Sequence, residues 1–387
     1  MVFYAFFAAL TIGISCLVSA KSERWQPEST AVYDCRIGGC SRKQALSFVM
    51  LGALFILLTA LAALRIQVGN DYVKYVEIFS EIWKGTDEAY VVTEPGFNFV
   101  VDALYTLSGF ENYLLVFSVF GAATAFVFLK AMYEQSDDFA GSFAMFMLLG
   151  LYFRSFTTVR YYFVLALTLY SIRYIRRREF AKFLLLIVFA AFFHKSVLVV
   201  IPLYLIAALP WKKWIMISGA VCAALVVVFQ KPLLELALWF VPTFRGTVYL
   251  TQDVGLLANA SGILRCLLVL FLALWCAKEP VWEKWECRFY LKLSVLGFLL
   301  YTCGSFLPLA DRLAYYLITP QILLVPAMLK QIVSDKKRRI AYVCTGLCLL
   351  VYFGLFLMEA QGSGISVLPY KSWIFTDKEW INASEFF

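Results

Sequence analysis

Read from the amino terminus, the chain alternates long apolar runs with short polar joints. The runs are Phe3–Ala20, Leu46–Leu64, Tyr113–Lys130, Phe139–Phe153, Tyr161–Ile175, Phe183–Leu209, Trp214–Phe229, Ile263–Ala277, Leu291–Leu309, Leu313–Leu329 and Ile340–Met358. Most approach the roughly twenty residues that an α-helix needs to cross a hydrocarbon core of about 30 Å. They are too long for barrel strands, and in lipid every backbone amide must be satisfied within its own segment, so the pattern predicts helices. The expected fold is all-α: a polytopic integral membrane protein of about 11–12 transmembrane helices, forming a single transmembrane domain over residues 1–387.

The polar joints set the orientation. Basic loops at 21–45, 173–182, 278–292 and 330–339, with Lys212–Lys213, are expected in the cytoplasm. The hydrophilic segments 65–112 and 231–262 and the tail 359–387 are expected outside, with the amino terminus. One run resists this arrangement. Lys182 and Lys212 must share a side although Phe183–Leu209 lies between them, and His194-Lys195-Ser196 divides that run into two arms. The arms are roughly 17 and 20 Å long as helices, short for a bilayer. The charges therefore favour a short helical hairpin or re-entrant segment at 183–209 over a single tilted helix.

Composition strengthens this reading. The chain is 62% hydrophobic and only 16% charged, with mean hydropathy +0.78. Its net charge of +8 resides in short loops between spans, so it encodes orientation and does not suggest nucleic-acid binding. The first twenty residues end in Val18-Ser19-Ala20, like a signal-peptidase site, but lack a positive leading region; they are expected as a retained first span. The ten cysteines contain no C-x-x-C and there is a single histidine, so they are expected as small packing residues and no metal or other cofactor is expected. No D-x-D pair, phosphate-binding G-x-x-x-x-G-K-[ST] loop or G-x-S-x-G elbow occurs.

Ionisable residues near or inside apolar runs are functional candidates, because burying charge in a membrane is costly. The expected topology collects them on the outer face: Asp71, Arg154, Arg160, His194, Arg245 and the pair Asp311-Arg312. Four arginines around one cavity would suit an anionic group. Each has a plainer reading too. Asp71 could cap a helix, Arg154 and Arg160 could anchor at the interface, Asp311-Arg312 could be a local ion pair, and His194 could be a satisfied buried imidazole. As the one side chain that titrates near neutrality unperturbed, His194 is also a natural proton carrier.

At Arg65-Ile66-Gln67-Val68-Gly69-Asn70-Asp71-Tyr72-Val73-Lys74-Tyr75 the chain resembles the EpsG family, membrane proteins of bacterial exopolysaccharide and capsule assembly related to Wzy-type polymerases. Glu94-Pro95-Gly96-Phe97, the helix start at Arg160, Phe193-His194-Lys195-Ser196, Pro202-Leu203-Tyr204, and Arg312 with Tyr315 and Tyr316 extend the resemblance from the second span to the tenth. One position departs: Tyr161 stands where a glutamine is common in the family.

The resemblance implies a glycosyltransferase of the bacterial cytoplasmic (inner) membrane. It would polymerise undecaprenyl-diphosphate-linked oligosaccharide repeat units at the outer face, one repeat's sugar hydroxyl attacking another glycan's anomeric carbon. Such chemistry needs a base and cations for the leaving diphosphate. His194 or Asp71 is the expected base. Arg160 and Arg154, assisted by Arg245 or Arg312, are expected at the diphosphate, with Tyr72 and Tyr161 as further substrate contacts. The expected partners are the lipid-linked oligosaccharide and the membrane, with a flippase and a chain-length regulator in the same pathway and no nucleic acid. Competing readings are a lipid-linked glycan transporter or flippase, which needs no base, a membrane O-acyltransferase, and a non-enzymatic scaffold.

Overall fold

The computed structural model describes residues 1–19, 42–85, 93–240, 259–307, 310–362 and 364–375. Arg245 and most of the basic loop 21–45 lie outside these residues. In chain order the helices are α1 Val2–Ser15, α2 Arg42–Ala63, α3 Tyr72–Lys84, α4 Pro95–Ser108, α5 Tyr113–Gln135, α6 Phe139–Leu148, α7 Leu151–Arg154, α8 Val159–Arg176 and α9 Phe180–Ala191. They continue as α10 Val200–Ala208, α11 Lys213–Val228, α12 Gln230–Phe240, α13 Ala260–Trp275, α14 Trp285–Cys303, α15 Ala310–Ile318, α16 Gln321–Lys330 and α17 Asp335–Glu359. Among the described residues the one extended pairing is an isolated antiparallel bridge between Arg65 and Ser372. The all-α membrane architecture is as expected.

Helix length is distributed less evenly than the hydropathy pattern suggests. Among the described residues, four helical stretches are individually long and apolar enough to span: Arg42–Ala63, Tyr113–Gln135, Ala310–Lys330 (α15 running into α16) and Asp335–Glu359. A fifth exists if Lys213–Val228 and Gln230–Leu236, which meet at 86°, count as one. Other expected spans are shorter or broken, including Val2–Ser15, Phe139–Leu148, Phe180–Ala191 and Ala260–Trp275. Breaks inside a membrane protein are tolerated where neighbouring protein satisfies the freed backbone. Lipid-facing surface remains strongly apolar, with Ile56 on α2, Leu185 on α9, Val228 on α11 and Leu274 on α13 all exposed.

Helix α8 is the hub. Its residues Tyr161 to Leu169 are buried without interruption, packed against α5 on one side and α9 on another. It runs from Arg160 to Arg176, roughly 25 Å, and so joins two chemically distinct ends.

At one end the basic loops meet acidic partners. Arg173 bonds Glu134, Arg176 lies 3.4 Å from Glu286, Lys284 pairs with Asp137 at 2.6 Å, and Lys337 pairs with Glu279 at 2.7 Å. Val333 N also donates to Glu279, and together these donors hold the Glu279 carboxyl below its usual range.

The run 183–209 folds as a hairpin. The ring of Phe183 at the start of α9 stacks on Tyr204 near the end of α10, 6.2 Å between centroids, so the arms are antiparallel. Lys292 Nζ donates to the carbonyls of Ala207 and Leu209, tying the end of α10 to the basic end. His194 is the tip, in extended conformation before a 3-10 turn at Lys195–Val199. A single tilted helix is thereby replaced.

Segments read as hydrophilic are also built into the fold. Within 65–112, α3 buries Tyr72, Tyr75, Val76, Ile78 and Phe79 along one face, while its other face carries Lys74, Glu77 and Glu81. In the tail, Ile365, Val367 and Leu368 are buried. Tyr4 of α1 donates its hydroxyl to Val367 O at 2.8 Å and stacks on Phe153 at 4.4 Å, which brings the amino terminus to the end opposite the basic loops.

Candidate functional site

The site is built at that opposite end, beginning with the segment after α2. Residues 64–70 lie antiparallel to the tail: Trp373 N bonds Leu64 O, Ile66 N bonds Lys371 O, Gly69 N bonds Ser366 O and Asn70 N bonds Ile365 O. Gly69 adopts φ +105°, and a Cβ there would sit 2.4 Å from the carbonyl oxygen of Phe156. Only glycine combines that conformation with so close an approach. The turn delivers Asp71 to the start of α3. It occupies the N-cap position but makes no capping hydrogen bond, which leaves the carboxylate available elsewhere.

Its surroundings form a cavity of about 140 Å³. Asp71, Arg154, Arg312, Asp311, Tyr161 and Tyr315 contribute, with Thr157, Thr158 and the tail at Gly364 and Ile365 completing the wall. Arg154 reaches it from the short helix α7. Its Nη2 bonds Glu359 Oε2 at 2.7 Å, its guanidinium lies over the Phe356 ring, and its buried Nε has no partner among the described residues. Tyr161, from the first turn of α8, donates to the carbonyl oxygen of Arg312 at 2.5 Å and so fixes the backbone that carries that arginine. Burial pushes the Asp71 carboxyl above its usual value, while Arg312, Lys74 and Arg160 oppose the shift.

Next to this cavity a second cluster gathers on Glu94. Pro95 occupies the first helical position of α4, which places Glu94 at the N-cap. Its carboxylate does not cap its own helix. Oε2 accepts from Arg160 Nη1 at 2.6 Å, and Oε1 accepts from the backbone amide of Lys195 at 3.1 Å. His194 Nδ1 stands 3.8 Å from Oε1, buried and without a hydrogen-bond partner among the described residues. Gly96 makes the junction possible: its amide bonds Phe192 O at 2.9 Å, and a Cβ would lie 2.8 Å from that oxygen. Arg160 also packs over the Phe97 ring at 4.9 Å. Tyr161 joins the two clusters, its ring edge-on to His194 with centroids 5.7 Å apart.

The pattern of the EpsG family matches residues 48–372. This chain belongs to the EpsG family. The resemblance carried by the motifs at Arg65–Tyr75, Glu94–Phe97 and Phe193–Ser196 thus extends over most of the chain. No curated protein and no solved structure matches it. Membership places it among membrane proteins of exopolysaccharide assembly.

In this EpsG chain the residues singled out from sequence fall into three groups. Asp71, Arg154, Arg312 and Tyr161 share the cavity. Arg160 and His194 share Glu94 beside it. Tyr72 is instead buried in an aromatic cluster, stacked on Phe117 at 4.5 Å, and does not line the cavity. Arg245 lies outside the described residues.

Sequence reasoning missed Glu94 as a site residue. The available signal was an acidic residue directly before Pro-Gly at a helix start, within one of the motifs that carry the family resemblance. It also missed Arg65, which is 2% exposed and sandwiched between the rings of Phe156 at 4.6 Å and Phe117 at 5.0 Å. The tail residue Glu359, partner of Arg154, opens the hydrophilic tail 359–387 and was not among the expected site residues.

Proposed function

We propose that this EpsG-family protein is a polysaccharide polymerase, acting on lipid-linked repeat units at the outer face of the bacterial cytoplasmic membrane. The observation that carries the reading is one cavity lined by the Asp71 carboxylate together with Arg154 and Arg312, at the end remote from the basic loops.

In the reaction the donor is an oligosaccharide on undecaprenyl diphosphate, and the acceptor is a sugar hydroxyl of another lipid-linked repeat. The bond from the anomeric carbon to diphosphate oxygen breaks as a bond from that carbon to the acceptor oxygen forms. The hydroxyl proton passes to the Asp71 carboxylate, and the diphosphate leaves with the bonding electron pair. Arg154 and Arg312 stabilise the charge that develops on it; planar guanidinium donors match phosphate oxygens, and such preorganised donors are worth most away from bulk water. In this reading guanidinium groups supply the positive charge, with no metal invoked. Tyr161 holds Arg312 in place. Arg160, held by Glu94, is not among the residues that line the cavity and orders the site from beside it.

A second assignment of the base is supported by His194, whose buried Nδ1 faces Glu94 with no hydrogen bond made. Cavity lining favours Asp71, because a base must reach the proton it removes. The two are separated by Asp71→Asn and His194→Ala, each at normal abundance in the membrane, with glycan read from lipid extracts. Loss of a general base costs about a hundred- to ten-thousand-fold in rate. Asp71→Asn is expected to leave single repeats on the lipid and no long polymer, and His194→Ala to retain shortened chains. Full-length polymer in Asp71→Asn would remove Asp71 as the base. A transporter or flippase would instead lose delivery of lipid-linked repeats to the outer face in the arginine variants.

A further inference from the structure

An apolar groove of about 230 Å³ opens on the lateral surface, where α13, α16 and α17 meet beside α6. On α17 it follows the row Ile340, Cys344, Cys348 and Tyr352, spaced at one helical turn. That row is about 18 Å long. Leu268 and Leu272 form the opposite wall on α13.

Its two ends differ. The lower end finishes at Trp275, whose ring lies 5.9 Å from Lys337 Nζ at the basic end of the molecule. Its upper end holds Arg265, a 5% exposed arginine in otherwise apolar surroundings. Nε donates to Gln321 Oε1 at 2.7 Å and Nη2 to Ile318 O at 3.0 Å, and no carboxylate pairs with it among the described residues. Positive charge is therefore retained at this point.

The upper end also lies near the polar cavity. Tyr352 lines the groove there. Tyr315 and Arg154 line the cavity. One turn beyond Tyr352, Phe356 lies under the Arg154 guanidinium at 5.2 Å.

We infer that this groove seats the isoprenoid chain of the lipid diphosphate donor, with Arg265 at the bend where the chain gives way to the phosphate head. The inference rests on the polymerase reading, since it takes the lipid-linked donor from it. Two features fit this occupant. A polyprenyl diphosphate is a single chain with its anionic group at one end, and the groove is a single channel with its arginine at one end. The diphosphate must also leave the lipid layer to enter the cavity, and Phe356, one turn beyond Tyr352 and under the Arg154 guanidinium, lies on that route.

The test uses the full-length protein in bilayer discs of phosphatidylethanolamine and phosphatidylglycerol. Its probe is undecaprenyl diphosphate bearing a diazirine on the isoprenoid chain, photolysed and mapped by peptide mass spectrometry. Adducts are expected on α13 and α17, displaced by unlabelled undecaprenyl diphosphate and not by added phosphatidylglycerol. Leu268 and Cys348 are exposed, so Leu268→Trp and Cys348→Trp fill the groove without disturbing buried packing. Each is expected to cut labelling about tenfold, the scale of losing two buried methylenes from the bound chain. Adducts spread over α2 and α11, or displaced equally by phosphatidylglycerol, would overturn the inference and leave a groove for ordinary acyl chains. Labelling needs no turnover, so its failure is distinct from failure of the polymerase reading. Groove adducts together with full polymer from Asp71→Asn and Arg154→Ala would uphold the groove and discard the catalytic assignment.

Discussion

Glu94 Oε2 and Arg160 Nη1 meet at 2.6 Å, although the residues stand 66 positions apart and on different helices. Both side chains are largely buried, at 11% and 13% exposure. Breaking one partner of such a pair typically costs about 3–5 kcal/mol, because the remaining charge is left uncompensated. Glu94→Gln is therefore expected to lower the thermal midpoint of the purified protein sharply. The reversal Glu94→Arg with Arg160→Glu should recover part of the loss. Equal midpoints for the wild type and Glu94→Gln would show that the pair contributes nothing to stability.

The hairpin places Lys212 with the basic loops and Gly362 with the site. Single-cysteine variants at these positions, on a cysteine-free background, are expected to differ towards an impermeant thiol reagent added to intact cells. Position 362 should label and position 212 should not. Labelling at 212 from outside would contradict an arrangement in which both arms return to the cytoplasmic side.

Gly69→Ala introduces a Cβ against the Phe156 carbonyl at a φ that side chains rarely adopt. A cost above ~1 kcal/mol is expected from the backbone alone, and Asp71, two residues on, should shift out of the cavity. Polymer yield per molecule should fall further than protein abundance. A proportional fall in both would confine Gly69 to a stability role.

Asp71 titrates in a stated direction. Burial raises its carboxyl above 3.8, so between the ordinary value and the raised one the unfolded chain has lost the proton and the folded chain has kept it. Stability from this group is accordingly fullest below that window and falls as pH rises through it. Activity runs the other way, because the ionised form is the base. Asp71→Asn is expected to match or exceed the wild type in thermal midpoint at neutral pH while losing chain growth. The wild-type acid limb, measured in membrane vesicles over about pH 4–8, should be absent from any residual activity of the variant.

Arg154→Lys keeps the charge but loses the planar donor pair that suits phosphate oxygens. A loss of about a hundred-fold or more in chain growth is expected, by analogy with removing one oxyanion donor. Arg178→Lys, at the basic end, should be near neutral in the same assay. Equal behaviour of the two would reduce Arg154 to an anchoring residue.

Much of this architecture was legible along the chain. Apolar length and the placement of lysines and arginines depend on local sequence and on the membrane as solvent, so the helices and even the hairpin at His194 followed from them. The motifs at Asp71, Arg160 and Arg312 could likewise be named in advance, because charge beside an apolar run stands out in one dimension.

Tertiary structure decided which charges act together. Nothing local assigns Glu94 to Arg160, Glu359 to Arg154, or the Arg312 carbonyl to Tyr161. The pairings at Arg160 and Tyr161 arise because the buried helix α8 brings distant elements to its first turn, and Arg154 meets the tail from α7 just before it. Hydropathy also misjudged segments whose polar and apolar residues lie on opposite faces, such as α3, and the tail whose backbone bonds to residues 64–70. The sequence by itself determined which segments form apolar helices and where the run 183–209 turns back. The fold alone determined that Asp71 shares a cavity with Arg154 and Arg312 while Arg160 is held by Glu94, since ion pairing and burial depend on distances that neither composition nor spacing encodes.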